Sequence, residues 1–482
     1  MSFPPAAGAG RARFPELPSG ARLAALGMAL LLMGGASLAV AQVSAEPLVT
    51  PYPVGLEGRS QALKTGIGNL DDGLGVASQE SGLDDLIRFA LQNSPTVGAA
   101  FHRWRASLER VPQARSLPDP QLGLGFVFDE VDRNTEYMGE RYSISQTFPW
   151  FGKLGLKGDI ALREAEAEGR RYEAARLAVV AEVNAAWFEY AWIRQAAATA
   201  RENFELMLRL ESVARAMYRA GEASLSDVSR AQVELGRLDD QVRSLTDMLG
   251  PAAAALNASV GRPAHAPLPT PGPPSVEVVP PLPLRDDEAW LMSARDRNPE
   301  LAAIQHDIER ERQEVALARR EFYPDVMFGL EYERRTGARM AMMDGGGRDM
   351  VVGMISVNVP IRRSRLDAGV SEARARLAAT GHEAHVREYL LETELRAALF
   401  AWRDGARRLQ LYGGTLLPQA RQSLATTETA YRAGEAGFSD LVDAQRVLLE
   451  FQLAHERAAA DRAIARARIL ALAGEPIEEK TP

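Results

Sequence analysis

The sequence contains no cysteine, and this absence excludes three kinds of site at once. Without thiols the chain forms no disulfide bond, no thiolate zinc centre and no cysteine nucleophile. The residue to which a bacterial lipid anchor is usually attached, just after a signal peptide, is also missing.

An excess of positive charge is lacking too. The 482 residues carry 56 Lys and Arg against 64 Asp and Glu, for a net charge of −8. Nucleic acid is therefore not an expected partner, because phosphates attract basic surfaces. With 46% hydrophobic and 25% charged residues the chain is not disordered. Its length predicts two units or one elongated architecture.

Long apolar runs are absent except near the N-terminus. Arg11, Arg13 and Arg22 precede an apolar run from Leu23 to Val40, and a small-x-small pattern ends at Ala41. This arrangement predicts a cleaved signal peptide over residues 1–41; the alternative is a retained membrane anchor. No later segment reaches the ~18 consecutive apolar residues of a spanning helix. Any part of the mature chain that spans a membrane is therefore predicted to be a β-barrel.

No catalytic constellation is visible in the sequence. There is no Ser-His-Asp arrangement or paired-carboxylate site, and the carboxylates of residues 164–171 and 309–312 lie among arginines at helical spacing. His382 and His385 could chelate a metal, but their polar neighbours favour an exposed helix face. We predict that the protein is not an enzyme and binds no cofactor.

The most informative feature present is an internal repeat. Tyr218-Arg-Ala-Gly-Glu-Ala223 reappears at Tyr431 to Ala436, and Pro149 has its counterpart at Pro360. An ordered series of such matches indicates tandem duplication. We divide the chain into a signal peptide (1–41), an extended arm (42–82), a first repeat (83–250), a Pro-rich linker (251–285), a second repeat (286–473) and a tail (474–482). Residues 263–283 of the linker contain nine prolines, which favour extended geometry.

Each repeat is predicted to begin with helical structure and to continue as two strands. Asn298 suits an N-cap with Pro299 after it, and the helices must end before Pro118 and Pro324. Period-two alternation with one apolar face then predicts strands, each near the 9–11 residues that a tilted membrane strand needs. The apolar positions are Leu122, Leu124, Phe126 and Phe128; Tyr142, Ile144 and Phe148; Val326, Phe328, Leu330 and Tyr332; and Gly353, Ile355, Val357 and Val359.

A very long helix follows the strands. Residues 152–218 contain no proline, and apolar residues recur at steps of three and four. At 1.5 Å per residue such a helix is about 100 Å long. The second copy repeats the pattern with Leu391, Leu395, Ala398 and Trp402.

The long helices are predicted to turn at the repeated motif. Gly221 and Gly434 are placed as C-cap glycines. Ser226 and Ser439 are predicted to cap the returning helices, which run to about residues 250 and 474, with Asp227 and Asp440 in the first turn. Four membrane strands in one chain would leave open edges, and closure needs at least about eight, so an oligomer is expected.

This order of elements resembles the TolC family of outer-membrane efflux factors. The resemblance rests on Tyr431-x-x-Gly434 followed by Ser439-Asp440-Leu441 and Ala444-Gln445, on the echo at Tyr218, and on the junction from Gln146 to Lys153. It implies a mainly α fold with a membrane β-barrel: a homotrimer whose 12-stranded barrel continues as a periplasmic α-helical barrel. It also implies a passive exit duct in the outer membrane, contacting outer-membrane lipid, a periplasmic adaptor and an inner-membrane pump.

The resemblance also implies functional positions. The family's acidic pore constriction corresponds to Asp440 and Asp443, with Asp227 as the counterpart in the first repeat. The periplasmic tip where the adaptor docks corresponds to Tyr218, Gly221, Glu222, Tyr431, Gly434 and Glu435. Asp440 could instead serve only as a helix N-terminal charge, and Asp443 only as a solvated surface residue. Ala436 stands where some members carry an arginine that latches the closed tip.

The cargo stays open at this point. No metal site is predicted, but Met340, Met342 and Met343, followed by Met350 and Met354, carry thioethers that suit Cu(I) or Ag(I). The resemblance therefore extends to heavy-metal efflux, although the methionines could simply pack a hairpin. The alternatives are a conduit for secreted protein and, in another class, a periplasmic structural coiled coil or adhesin.

Overall fold

The computed structural model describes residues 82–129, 137–272, 281–336 and 349–476. The predicted signal peptide, the arm up to residue 81 and the methionines Met340, Met342 and Met343 lie outside these ranges. The first repeat consists of α1 (Leu83–Asn93), α2 (Pro95–Arg115), β1 (Gln121–Asp129), β2 (Tyr137–Phe148), α3 (Lys153–Ala220), α4 (Leu225–Asp247) and α5 (Leu249–Val260). The second consists of α6 (Asp287–Arg297), α7 (Pro299–Arg320), β3 (Val326–Thr336), β4 (Met350–Val357), α8 (Arg363–Leu411), a π-helical segment (Tyr412–Leu416), α9 (Leu417–Arg432) and α10 (Phe438–Leu472).

The two copies have the same order of elements, which confirms the predicted strands and the long helix. Asn298 caps α7 as expected, because its Oδ1 accepts the N–H groups of Glu300 at 2.9 Å and Leu301 at 3.2 Å. The helix α3 has 68 residues and is therefore about 100 Å long. Among the described residues, no helix combines the length and the apolar character needed to cross a membrane.

The four strands form one antiparallel sheet in the order β1-β2-β3-β4. The central pairing joins the repeats, since Phe148 on β2 lies opposite Val326 on β3 and Tyr142 lies opposite Tyr332. One face carries apolar side chains that are exposed in the protomer, including Leu122, Leu124, Phe126, Phe328 and Ile355. Such a face is typical of strands that contact lipid.

The opposite face of the sheet carries mainly glycine, serine and charged residues. It carries Gly123, Ser143 and Ser145, and Arg141, whose Nε lies 2.9 Å from Glu331 Oε1 across the β2–β3 pair. The period-two pattern of the sequence therefore separates an apolar surface from a polar one.

The helices pack by a shared apolar seam. Near the turns, Met207 and Leu210 on α3 are buried against Leu441, Leu448 and other residues of α10. Further along α10, the buried residues are mostly alanines, including Ala460 and Ala463, which let helices approach closely. The side chains that alternate by three and four are the buried ones, as the coiled-coil pattern predicts.

Helical structure in the first copy continues past residue 250, where the returning helix was predicted to end. Helix α4 ends at Asp247, and α5 continues to Val260 and ends at Gly261, whose φ of 82° is left-handed. The Pro-rich linker predicted from 251 therefore begins inside a helix, since Pro251 lies in the first turn, where no intrahelical N–H bond is lost.

The second long helix is also interrupted, unlike the prediction. A π-helical segment from Tyr412 to Leu416 separates α8 from α9 and directly precedes Pro418. A proline lacks the N–H that an uninterrupted helix would need there, so the wider turn accommodates it.

A buried ion pair joins the strand-to-helix junctions of the two repeats. Lys153 is 2% exposed, and its Nζ donates to Asp325 Oδ1 at 2.9 Å and to the Tyr323 carbonyl at 3.1 Å. The backbone N–H of Trp150 donates to the same carboxylate oxygen at 2.8 Å. The start of α3 is thereby fixed to the start of β3.

Replacing Lys153 by Met should destabilise this junction. The change leaves Asp325 without its cation, and breaking a buried pair in this way costs about 3 kcal/mol. We expect a lower apparent melting temperature of the detergent-solubilised protein, followed by circular dichroism. Lys157→Met, at an exposed position on the same helix, is the control; equal melting of the two variants would contradict the assignment.

Candidate functional site at the helix turns

The two repeated turns adopt the same backbone conformation. Gly221 and Gly434 have φ values of 79° and 75°, a left-handed region that other residues rarely adopt. The N–H of Glu222 donates to the Met217 carbonyl, and the N–H of Glu435 donates to the Ala430 carbonyl, both at 2.9 Å. These bonds close the ends of α3 and α9. Gly221 is the C-cap of α3 as predicted, whereas the C-cap of α9 is Ala433 and Gly434 follows it as the left-handed residue.

The predicted caps of the returning helices were wrong. The N-cap residues are Ser224 and Gly437, not Ser226 and Ser439, which lie inside the first turn. Asp227 Oδ2 accepts the N–H of Ser224 at 3.1 Å, and Asp440 Oδ2 accepts the N–H of Gly437 at 3.0 Å. The carboxylate three residues into the helix reaches back to the cap, which is the reason that the cap lies earlier than predicted.

The two tyrosines of the motif have different environments. Tyr218 is 44% exposed, whereas Tyr431 is only 3% exposed and packs edge-to-face on Phe438 at 5.4 Å. Tyr431 therefore presents almost no side-chain surface to a partner in the protomer, and its role in docking stays a prediction. Repeat one has Leu225 where repeat two has Phe438, and this substitution is the sequence signal for the aromatic pair.

Burial also changes the chemistry of Tyr431. Desolvation, and secondarily the negative charge of Asp227, raise the pKa of its hydroxyl above the ordinary value. Among the described residues the hydroxyl has no hydrogen-bond partner. Its contribution is therefore apolar packing inside the turn.

A cleft of about 600 Å³ lies between the first turns of α4 and α10. Its polar lining consists of Ser226, Ser229, Arg230, Ser439, Asp443 and Arg446. The Asp443 side chain is 70% exposed and its Oδ1 lies 3.7 Å from Arg446. Asp440 and Glu435 are also exposed, so the tip presents a group of carboxylates to solvent.

A buried carboxylate links the two hairpins beside this cleft. Glu234 on α4 is 1% exposed and accepts hydrogen bonds from Arg237 Nε at 2.8 Å and from Arg446 Nε of α10 at 3.1 Å. Burial alone would raise the pKa of Glu234, but the two guanidinium groups outweigh it and hold the pKa below the ordinary value of 4.5.

Sequence reasoning missed this link between Glu234 and Arg446. By the repeat offset, Arg446 corresponds to Val233 and Glu234 corresponds to Val447. The first copy therefore has a valine and then an acidic residue, whereas the second copy has a basic residue and then a valine. This difference between the copies was the only indication of the ion pair in the sequence.

Tyr431 and Tyr218 should respond differently to truncation. Tyr431→Ala removes a buried ring and should destabilise the fold by about 3 kcal/mol, whereas Tyr431→Phe should cost little because the hydroxyl is unpaired. Tyr218→Ala is the matched change at the exposed position and should have a small effect. Melting temperatures of the three variants check this, and a large loss in Tyr431→Phe would reveal a hydroxyl partner.

The Glu234 link should depend on pH in a defined direction. Because its folded pKa is lowered, the stabilisation is present above the ordinary pKa and is lost as pH falls through the folded value. Wild-type protein should be more stable than Glu234→Gln at pH 7, and the difference should shrink below about pH 4. Asp240→Asn, on the exposed side of α4, controls for general charge effects. A difference in stability that does not decrease at all as the medium is acidified would count against the ion pair.

Comparison with known proteins agrees with this architecture. A family model described as outer membrane efflux protein matches residues 86–262 and 290–475. Protein CyaE of Bordetella pertussis is 29% identical over 424 residues, covering 82% of this chain and 85% of that protein. The cobalt-zinc-cadmium resistance protein CzcC of Cupriavidus metallidurans is 23% identical over 375 residues, covering 77% of this chain and 84% of that protein.

The fold is also found among solved structures. The open state of the Neisseria gonorrhoeae MtrE outer membrane channel superposes with a TM-score of 0.68 at 18% identity, covering 82% of this chain and 89% of that one. The family model coincides with the two repeats, each carrying its strand pair, long helix and glycine turn. The chain belongs to the outer membrane efflux protein family and is a TolC-type channel component of the outer membrane that extends into the periplasm.

Proposed function

We propose that three copies of this protein form the passive exit duct of a tripartite efflux system whose periplasmic mouth selects for cations. The observation that carries the proposal is the group of exposed carboxylates at the helix turns, with Asp440 and Asp443 one turn apart on the same side of α10. In this scheme a periplasmic adaptor and an inner-membrane pump deliver the cargo, and the pump supplies the energy.

A homotrimer accounts for the unpaired edges of the sheet. Within the described residues β1 and β4 are edge strands, and open edges are unfavourable in lipid. Three copies would close twelve strands into one sheet. Helix α8 also exposes an apolar stripe of Val386, Tyr389, Leu390 and Phe400, which a neighbouring copy would cover.

Threefold symmetry would turn the acidic residues into a ring. Asp440, Asp443 and Asp227 would each be repeated three times around a narrow mouth, where like charges attract cations and oppose closure. Arg446 lies near enough to Asp443 to offset part of its charge. Asp440 keeps its helix-capping bond in this arrangement, so the two roles that the sequence left open are compatible.

The outer surface of the turns would receive the adaptor. Tyr218, Glu222 and Glu435 are exposed there, and Gly221 and Gly434 fix the shape of the two turns. Tyr431 would act indirectly, by supporting the second turn from inside. The cleft between α4 and α10 gives the tip a concave feature that a helical partner could fill.

Heavy-metal cations are the cargo that we propose. Support comes from the similarity to a protein named for cobalt, zinc and cadmium resistance and from the acidic tip. Met350 and Met354 lie on the polar face of the sheet, opposite Glu333 and Gly329. Met340, Met342 and Met343 fall outside the described residues, so their proposed contact with soft metals rests on sequence alone.

Neutralising the tip should change conduction. Asp440→Asn with Asp443→Asn keeps an acceptor for the Gly437 N–H but removes both charges. Because these charges attract cations and oppose closure of the mouth, both cation selectivity and resting conductance in planar bilayers should fall. Asp240→Asn is the control, because Asp240 is an exposed carboxylate of α4 outside the turns. Unchanged conductance and cation preference in the double variant would overturn the constriction assignment.

The cargo proposal can be tested in cells. A deletion strain should lose tolerance to cobalt, zinc, cadmium or copper, and the wild-type gene but not a duct-blocked variant should restore it. Full metal tolerance combined with the loss of a secreted protein would instead support the secretion conduit.

A further inference from the structure

One edge of the sheet marks the border between the lipid-facing strands and the helices. Here β1 starts, β2 and β4 end, and the long helices begin. Trp150 stacks on Tyr323 with ring centroids 5.5 Å apart, while Phe151 and Ile361 are 85% and 79% exposed. Aromatic and apolar residues at such a position are typical of a membrane–water interface.

Three arginines follow this border directly in the second repeat. Arg362, Arg363 and Arg365 are all exposed, and none forms an ion pair with another residue in the described part of the chain. Leu366 is buried beside them, which turns the three guanidinium groups away from the core. They stand where the apolar surface of β4 gives way to helix.

The fold itself does not need these arginines. At the same junction of the first repeat, the corresponding residues are Phe151, Gly152 and Leu154, and α3 starts there without them. Positive charges at the beginning of α8 also oppose the helix dipole, so they weaken the helix slightly unless an anion is nearby. Their presence in only one copy indicates a role other than stability.

The surrounding charge is also predominantly positive. Arg319 and Arg320, at the end of α7, are exposed on the same border, and Arg320 lies over the Tyr323 ring at 5.7 Å. Among the acidic residues at this border, Glu321 lies 3.5 Å and Asp325 2.9 Å from Lys153, whereas Asp367 is exposed. A phosphate would therefore meet several unpaired guanidinium donors.

We propose that Arg362, Arg363 and Arg365 bind the phosphate groups of anionic glycerophospholipids in the leaflet that borders the periplasm. Guanidinium groups bind phosphate by paired, charge-assisted hydrogen bonds, and Ile361 and Phe151 would contact the adjoining acyl region. In a trimer the basic patches would alternate with the aromatic junctions of the first repeats. The lipid contact would fix the depth and tilt of the channel in the membrane.

Native mass spectrometry of the full-length protein in neutral detergent tests this. Wild-type protein titrated with phosphatidylglycerol should retain more lipid than with phosphatidylcholine. Arg362→Ser, Arg363→Ser and Arg365→Ser combined should weaken phosphatidylglycerol binding roughly a hundredfold. Each basic residue near an anionic lipid surface strengthens binding about fivefold, and three such residues are removed.

The control removes three exposed arginines of α3 that lie away from the border, by Arg194→Ser, Arg201→Ser and Arg219→Ser combined. It should bind phosphatidylglycerol like wild type. A triple Arg→Lys variant at residues 362, 363 and 365 separates binding from folding, since it should retain most of the affinity and assemble normally. Equal lipid retention in the border and control triples, or no preference for phosphatidylglycerol in wild type, would overturn the proposal. Neither result depends on the cargo or on conductance at the tip.

Discussion

The pairing of β2 with β3 is the constraint on which the rest of the structure depends. It joins two repeats that are separated by a long linker, with Phe148 opposite Val326. Because the strands are antiparallel and in this register, both strand-to-helix junctions lie at one edge of the sheet. The Lys153–Asp325 pair fixes that edge. The long helices α3 and α8 start there, and α7 and α10 each pack against both of them. Residues of α3 can then pack against α10 along their length, although the two helices are far apart in sequence.

Duplication provides a comparison within the molecule. Both copies have glycine at Gly221 and Gly434, because the backbone is left-handed at each of these positions. At other positions the two copies have different surroundings, whether or not the residue is the same. Tyr431 is buried while Tyr218 is exposed, Arg446 reaches Glu234 while its counterpart is Val233, and the arginines after β4 replace aromatic and small residues. The buried Tyr431, the Glu234–Arg446 pair and the arginines after β4 are thus places where the internal symmetry is broken.

The sequence predicted the elements well where the signal was local. Alternation located all four strands, and the absence of proline between residues 152 and 218 located the long helix. The predictions failed where a proline could either end a helix or lie in its first turn. Pro251 was assigned to the linker, but it lies in the first turn of α5. The second long helix was expected to be unbroken, but a π-helical segment interrupts it just before Pro418. The burial of Tyr431 and the Glu234–Arg446 pair depend on which helices become neighbours in the folded chain. In the sequence, the only indication of either was that the two copies carry different residues at the positions involved.

The capping of α10 bears directly on the proposed acidic ring. A carboxylate on a freely rotating side chain loses conformational entropy when it must point into a pore, and that loss weakens any attraction for a cation. Asp440 has already lost much of this freedom, since its Oδ2 is held by the Gly437 N–H and Gly437 is fixed in turn by the closed loop after Gly434. Its remaining oxygen is thereby oriented by the backbone. Asp443, one turn later and largely exposed, has no such bond and lies near Arg446. The two carboxylates would therefore act unequally. Asp440 would be the rigid member of the ring, whereas the attraction of Asp443 for a cation would depend on the position of the Arg446 guanidinium.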